Sequence, residues 1–253
     1  MEYQVLDPIG VRVTDLSLDG VGTADVATLE KLLAECGVLV IPDQKIDDGV
    51  FLAFLKQFGE LMFTAGELPL AGYPDLNVIS NVGRATPPKS TFHVDTTYVS
   101  HPPRFTALRA VNVPDEGGHT QFSNQYAAHD TLTEAVRDDL AGRLMTHVVT
   151  GVDPGEDAQT SAAHPLLLTH PLSGRTALYL SAAARCEAIT GKTPEEVAQI
   201  VADLIAHSTR SDNVFRHAWS AGDVVMWDNR VVMHRADHSG VVGDRVMHRG
   251  MVR

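Results

Sequence analysis

A histidine and an aspartate stand two positions apart, at His93 and Asp95. On an extended backbone, residues two apart point to the same side, so one imidazole and one carboxylate would face the same space. A second imidazole follows at His234, at the end of a segment that reads Trp-Asp-Asn-Arg-Val-Val-Met-His. Two imidazoles and one carboxylate form the ligand set of non-haem Fe(II) oxygenases, which leaves other metal positions open. The His-x-Asp pair alone carries little weight, because 12 histidines and 32 acidic residues make one such pair unsurprising.

Two arginines near the end of the sequence could bind carboxylates. Arg245 and Arg249 are four positions apart on a predicted strand, so they share a face with Met247 between them. A guanidinium can form two parallel hydrogen bonds to a carboxylate, and a hydroxyl such as that of Thr120, at the end of a Gly-Gly-His-Thr turn, can add a third. From spacing alone, a solvated strand face explains the arginines equally well. The alternation also predicts that His248 faces away from both arginines.

These segments occur together in one order: the His-x-Asp segment, the Gly-Gly-x-Thr turn, the Trp-Asp-Asn-Arg segment and the paired arginines. In this order and spacing they resemble the taurine dioxygenase/TfdA family of Fe(II)/2-oxoglutarate dioxygenases, over about residues 1 to 253. The resemblance implies that His93, Asp95 and His234 bind Fe(II) at the catalytic centre. It also implies that Thr120 and Arg245 hold the distal carboxylate of the co-substrate 2-oxoglutarate.

The resemblance further implies a reaction and a kind of substrate. Arg249 matches the family position that often binds an acidic group of the prime substrate. The expected enzyme consumes 2-oxoglutarate and O2, releases succinate and CO2, and hydroxylates or oxidatively cleaves a small anionic organic molecule. Taurine itself is not expected, because the stretch Pro87 to Thr91 lacks the Asn-rich sequence of the taurine enzyme and Phe63 to Tyr73 lacks its His and Tyr contacts to sulfonate. Lys89 is more typical of a solvated loop than of a binding site.

Two other functions fit parts of the pattern. A zinc hydrolase also uses two imidazoles, a carboxylate and a water, but it needs a nearby general base, and the sequence contains no His-Glu-x-x-His segment. A cupin-like binding module, in which the metal is structural or absent, is the alternative from outside the enzymes. Both remain open from the residues alone.

The elements that must position these residues are mostly strands. Helices are predicted over Thr23 to Cys36, over Asp47 to Phe58, and after Thr193, where Thr-Pro-Glu-Glu reads as a capping box with proline at the first helical position. The predicted strands are Val38–Ile41, Leu76–Ser80, Phe105–Val113, Thr120–Ser123, Leu144–Thr150, Leu166–His170, Thr176–Leu180, Val224–Trp227, Val231–His234 and Arg245–Met251. The polar stretch Gly151 to Ala163 is either a surface loop or a lid. Many short strands with few helices predict a mainly β fold with flanking helices, a double-stranded β-helix (jelly roll, cupin-like), in one domain over 1–253.

Composition excludes several classes of function. The net charge of −12 and the lack of Lys/Arg clusters argue against nucleic acid as a partner. We expect no membrane association and a cytoplasmic location, because no apolar run is long enough to span a bilayer and the first residues lack a secretory pattern. The two cysteines, Cys36 and Cys186, are each isolated and are expected to be small buried hydrophobes. The resemblance suggests a homo-oligomer, and the partner is expected to be a small molecule.

Overall fold

The computed structural model describes residues 1–83 and 91–253. The helices within these ranges are α1 (Thr23–Cys36), α2 (Asp48–Lys56), α3 (Gln125–Asp130), α4 (Glu134–Leu140) and α5 (Pro194–Ser208), with short 3-10 turns at Ala183–Arg185 and Ser211–Asn213. The strands are β1 (Glu2–Val5), β2 (Val11–Thr14), β3 (Val38–Ile41), β4 (Leu61–Met62), β5 (Pro69–Leu70), β6 (Tyr73–Ser80), β7 (Phe105–Asn112), β8 (Thr120–Asn124), β9 (Leu144–Val148), β10 (Ser161–Pro165), β11 (Leu167–Thr169), β12 (Thr176–Leu178), β13 (Cys186–Ile189), β14 (Val214–His217), β15 (Val224–Asp228), β16 (Val232–Ala236) and β17 (Val246–Val252).

The larger sheet has the strand order β1-β2-β3-β15-β7-β17-β6-β5, with β4 also paired to β17. Both of its faces are apolar, as the central strand β15 shows. Val224 and Met226 pack into the core on one face, and Val225 and Trp227 pack into the core on the other. A strand with this pattern is buried on both sides, so the sheet needs a covering layer on each face.

Two helices cover the outer face of the larger sheet. Leu29 of α1 and Phe51 of α2 are completely buried against it. Asp47 caps α2 by accepting a hydrogen bond from the amide of Val50. Gly37 ends α1 with a positive φ of 70°, and a Cβ at this position would lie 2.7 Å from a methyl group of Ile9. A glycine is therefore required where α1 turns into β3.

A smaller antiparallel sheet, β14-β8-β16, covers the inner face. Phe122 of β8 and Val232 of β16 share the inner core with Trp227 and Met247 of the larger sheet. Met233 points the other way and packs into a third core that includes residues of α5. The two facing sheets enclose the inner core, which is the arrangement predicted from the sequence. The alternation along β16 directs His234, like Val232, towards the space between the sheets.

Most predicted elements are present with bounds that shift by a few residues. The capping box between Thr193 and Glu196 is confirmed, with both reciprocal hydrogen bonds formed. Elements that the sequence analysis did not predict include β1, β2, β10, β13, β14 and the short helices α3 and α4. The stretch Gly151 to Ala163, predicted to be either a surface loop or a lid, ends in a strand, because β10 begins at Ser161 and pairs with β9. Within the described ranges, no helix combines the length and the apolar character needed to cross a membrane.

Candidate metal and co-substrate site

The structure brings the three predicted metal ligands together. His93, Asp95 and His234 each offer a ligand atom, and these atoms all lie within 4.8 Å of one another. Asp95 Oδ1 is 3.6 Å from His93 Nε2, and Asp95 Oδ2 is 3.7 Å from His234 Nε2. Three donors converging on one space fit a single transition-metal ion, and the two-imidazole, one-carboxylate set suits Fe(II).

Backbone pairing places the two imidazoles side by side. The amide of His93 donates to the carbonyl of His234 at 3.0 Å, and the amide of His234 donates to the carbonyl of His93 at 2.9 Å. The ring centroids are consequently 4.4 Å apart. His93 Nδ1 lies 2.9 Å from the carbonyl oxygen of Thr91, which can only accept, so Nδ1 carries the proton and Nε2 has the free lone pair. This second interaction orients the ring for metal binding.

A chain of buried hydrogen bonds holds the carboxylate of Asp95. The hydroxyl of Thr106 donates to Asp95 Oδ2 at 2.8 Å, and Asn229 Nδ2 donates to that hydroxyl oxygen at 2.8 Å. Trp227 Nε1 donates in turn to Asn229 Oδ1 at 3.1 Å. The sequence analysis did not predict a role for Thr106. It gave Asn229 no role either, although Asn229 belongs to the Trp-Asp-Asn-Arg segment that resembles the family. The Trp-Asp-Asn-Arg segment therefore helps to orient Asp95 through Thr106 of β7, the neighbour of β15 in the larger sheet.

The electrostatics favour the protonation states that bind metal. Burial lowers the pKa of His234 to about 3, so its imidazole is neutral at pH 7. Burial acts to raise the pKa of Asp95, but His234, Arg249 and His93 outweigh it, and this pKa lies well below its ordinary value. Because His234 is neutral at pH 7, the lasting positive charge beside Asp95 is that of Arg249, whose Nη1 is 3.7 Å from Asp95 Oδ1. A neutral imidazole and an ionised carboxylate are the ligand forms that a metal needs.

Arg245 lies just before β17 as a fully buried cation. Its Nε donates to the carbonyl of Gly118 at 2.8 Å, and its Nη2 donates to the hydroxyl of Thr120 at 3.2 Å. Its Nη1 is buried and has no hydrogen-bond partner among the described residues. Burial lowers the pKa of Arg245 to about 10, so the side chain keeps its charge at pH 7. A buried cation with a donor that has no partner among the described residues favours an anion beside it, since leaving such a group unpaired is costly.

The surroundings of Arg245 are shaped for such an anion. Thr120 Oγ1 accepts from both Arg245 and Trp219 Nε1, at 3.2 and 3.0 Å, which leaves the hydroxyl proton for a third group. Gly118 has a positive φ of 68°, and a Cβ there would lie 2.7 Å from Pro114 and 3.1 Å from Arg245 Cδ. Only glycine fits this close approach. Thr120 and Arg245 could therefore hold one carboxylate of 2-oxoglutarate between them.

Arg249 has a different environment. Its Nη2 donates to Glu67 Oε2, and its Nε donates to Asn77 Oδ1 at 3.0 Å. Asn77 Nδ2 also donates to Glu67 Oε2. The predicted substrate arginine is thus paired with an acidic side chain that sequence reasoning did not single out. His248, between the two, faces the other way and contacts Asp48 of α2 at 2.7 Å, as predicted.

Two cavities adjoin the metal ligands. The smaller, of about 120 Å³, is lined by Thr64, Glu67, His93, Asp95, Thr96, Tyr98, Val152, Arg185 and Arg249. The larger, of about 780 Å³, is lined by Glu67, Thr91, Phe92, His93, Thr150, Gly151, Val152, Ala182, Ala183, Ala184, Arg185, Ile205, Thr209 and Arg235. The aromatic residues Phe92 and Tyr98 line these cavities, whereas Trp219 lies beside Thr120. The start of the stretch Gly151 to Ala163 forms part of the wall, and Lys89 lies outside the described residues.

Comparisons with known proteins agree with this geometry. The profile of "Taurine catabolism dioxygenase TauD, TfdA family" matches residues 2–251. The chain belongs to the TauD/TfdA family. An alpha-ketoglutarate-dependent 2,4-dichlorophenoxyacetate dioxygenase of Burkholderia sp. (strain RASC) is 30% identical, with 97% of this chain and 92% of that protein covered.

Solved structures extend the likeness to the fold. A taurine dioxygenase from Burkholderia xenovorans aligns with a TM-score of 0.86 at 29% identity, covering 99% of this chain and 90% of that chain. AAD-2 in complex with Mn(II) and N-oxalylglycine aligns with a TM-score of 0.86 at 26% identity, covering 99% and 96%. The predicted jelly-roll fold and the predicted class, an alpha-ketoglutarate-dependent dioxygenase, are both confirmed.

Proposed function

We propose that this TauD/TfdA member binds Fe(II) through His93, Asp95 and His234, and uses O2 and 2-oxoglutarate to oxidise a small anionic organic molecule. Succinate and CO2 are the products of the co-substrate. The observation that carries the proposal is the convergence of three ligand atoms within 4.8 Å in the same interior that holds the buried Arg245 with an unused donor. Iron in such a site supplies the oxidising chemistry, and the protein supplies position and a dry surrounding.

The roles of the protein groups follow from their contacts. The hydroxyl of Thr120 and Nη1 of Arg245 would each donate a hydrogen bond to the distal carboxylate of 2-oxoglutarate. Thr106 keeps Asp95 oriented through its hydrogen bond to Oδ2. Arg249 faces the smaller cavity beside Asp95 and is proposed to contact the acidic group of the prime substrate.

The larger cavity limits the substrate in size and polarity. Its volume of about 780 Å³ suits a molecule larger than an alkyl amine or a short sulfonate. Ala182 to Ala184, Ile205 and Phe92 contribute apolar side chains to its lining, and Glu67, Arg185 and Arg235 contribute charged ones. The related dioxygenase named for 2,4-dichlorophenoxyacetate supports an acid with an apolar body as the substrate class.

The alternatives fit the site less well. A zinc hydrolase needs an available general base, and Glu67, which lines the cavity beside the ligands, is paired with Arg249 and Asn77. Neither a hydrolase nor a cupin-like binding module explains the buried Arg245 with its unused donor. Fe(II) and 2-oxoglutarate together should give a visible charge-transfer band under anaerobic conditions only in the dioxygenase.

Turnover tests the proposal. Succinate release in air is measured with Fe(II) and with Zn(II), against phenoxyacids, sulfonates, amino acids and carboxylated natural products. Succinate should form with Fe(II), rise in the presence of an accepted substrate, and be absent with Zn(II). A product formed with Zn(II) and without loss of 2-oxoglutarate would favour the hydrolase. A single domain, a cytoplasmic location and a homo-oligomer stay predictions.

A further inference from the structure

A second arginine, Arg185, lines the smaller cavity together with Arg249. It ends the 3-10 turn Ala183–Arg185, which leads into β13. Its Nη1 donates to the carbonyl of Val94 at 3.1 Å, and its Nε donates to the hydroxyl of Thr150 at 3.2 Å. Both partners are neutral. Arg185 lines both cavities, so it lies where the two cavities adjoin.

Arg185 differs from Arg249 in what balances its charge. Among the described residues, no carboxylate lies within ion-pair distance of Arg185, whereas Arg249 contacts Glu67 and lies 3.7 Å from Asp95. The guanidinium of Arg249 therefore already has an anionic partner, which an incoming anion must displace or share. Arg185 carries a charge that no acidic side chain of the described residues offsets. A half-buried arginine without an acidic partner among the described residues is well suited to bind a carboxylate.

The charges of the cavity favour an occupant with one negative charge. If the proposed function holds, the charges of Fe(II), Asp95, 2-oxoglutarate and Arg245 cancel. Among the described residues that line the smaller cavity, the two arginines are then opposed only by Glu67, which leaves one positive charge. Tyr98 adds a phenol whose pKa burial raises, so its hydroxyl stays protonated and can donate.

We infer that Arg185 is the principal binding group for the acidic end of the prime substrate, a monoanion, and that Glu67 sets this preference by neutralising Arg249. The anion lies between the two arginines. The apolar body of the substrate extends along Ala182 to Ala184 and Ile205, which lie next to Arg185 in the larger cavity. Arg185 and Glu67 are thus residues that determine specificity. The inference rests on the proposed function.

Calorimetric titration of the anaerobic Fe(II) and 2-oxoglutarate complex tests this assignment. The probes are 2,4-dichlorophenoxyacetate and its neutral amide, which share an apolar body and differ in charge. Arg185→Gln should weaken binding of the acid by about 10- to 150-fold and change binding of the amide by less than about threefold. Arg185→Lys should recover part of the loss, because it keeps the charge without the planar fork. Arg253→Gln removes a surface charge paired with Glu60 and should leave both affinities unchanged.

Glu67→Gln should change the affinity for the acid in the opposite direction, and it leaves Arg185 itself unaltered. It frees Arg249 from its anionic partner, so the acid should bind more tightly than to the wild type. An affinity of Glu67→Gln for the acid that equals or falls below that of the wild type would contradict the inference. Equal affinity of Arg185→Gln and Arg253→Gln for the acid would also contradict the inference. If Arg185→Gln lost the same affinity for the acid and for the amide, Arg185 would have a structural role, and the inference would again be contradicted.

The visible band of the Fe(II) and 2-oxoglutarate complex separates failure of the inference from failure of the proposed function. Arg185→Gln should give the wild-type band, because Arg185 contacts no metal ligand side chain. A wild type that shows the band but binds no acid overturns the assignment of Arg185 and leaves the proposed function standing. A wild type without the band overturns the proposed function itself.

Discussion

Replacing Arg245 with glutamine should weaken 2-oxoglutarate binding with little effect on the metal ligands. Gly118 and Thr120 accept hydrogen bonds from Nε and Nη2 of Arg245, so Nη1, which has no partner among the described residues, is the nitrogen left for the co-substrate. One hydrogen bond between charged groups contributes about 1.5–3 kcal/mol. Its loss corresponds to about a 10- to 150-fold rise in Kd. Arg245→Lys should fall between, because it keeps the charge but cannot reproduce the fork.

The Kd for 2-oxoglutarate can be read by titrating it into the anaerobic Fe(II) protein and following the visible band. A second readout needs no colour: the ligand should raise the Tm of the wild type, since a ligand at 100 times its Kd adds about 2.7 kcal/mol of stability. In Arg245→Gln this rise should shrink. Arg249→Gln, whose guanidinium is engaged by Glu67 and Asn77, is the matched control and should change the Kd by less than about threefold. Wild-type binding by Arg245→Gln, or equal losses in both variants, would refute the assignment.

Three further outcomes follow from the site and its surroundings. Alanine at His93, Asp95 or His234 should abolish turnover. The circular dichroism spectrum and the Tm of each variant without metal should stay near those of the wild type, because the ligands are placed on an already packed core. Unfolding of the metal-free wild type would contradict this prediction. Thr106→Val removes the hydrogen bond to Asp95 and should weaken Fe(II) binding by about 10- to 100-fold. Thr97→Val is the control, because it removes a buried hydroxyl that has no partner in the described structure, and it should leave Fe(II) binding unchanged. His147 is buried, neither ring nitrogen has a partner among the described residues, and burial lowers its pKa to about 3. Below pH 6.5 the unfolded chain takes up a proton that folded His147 does not, so stability falls as the pH drops towards 3, by up to about 1.36 kcal/mol per pH unit. His147→Leu should flatten this dependence in urea unfolding between pH 6.5 and 4, and an unchanged slope would show that His147 does not contribute.

The sequence predicted the metal ligands because their geometry is local or follows a simple alternation. His93 and Asp95 are two apart, and His234 lies on a strand whose odd and even positions face different cores. The same alternation placed His248 away from Arg245 and Arg249, as observed. The capping box at Thr193 is also a local signal, since the side chain and the amide it binds are three residues apart.

The contacts that the sequence did not predict join distant segments. Thr106 and Asn229 are 123 positions apart, and Glu67 and Arg249 are 182 apart, so no spacing rule connects them. Arg185 lies on a three-residue turn without periodicity. The helices α3 and α4 have only 6 and 7 residues, too short for a clear apolar stripe. These contacts depend on which strands and loops become neighbours in the folded protein, and the apolar pattern of a single strand does not determine its neighbours.

An anaerobic titration of Fe(II) into the protein saturated with 2-oxoglutarate tests the proposed site most directly. The wild type should develop the visible charge-transfer band with one Fe(II) per chain, and Zn(II) should not produce it. Asp95→Ala should need much more Fe(II) to reach the same absorbance, because one of the three ligands is gone. No band in the wild type, or the same titration curve for Asp95→Ala, would contradict Fe(II) binding by His93, Asp95 and His234.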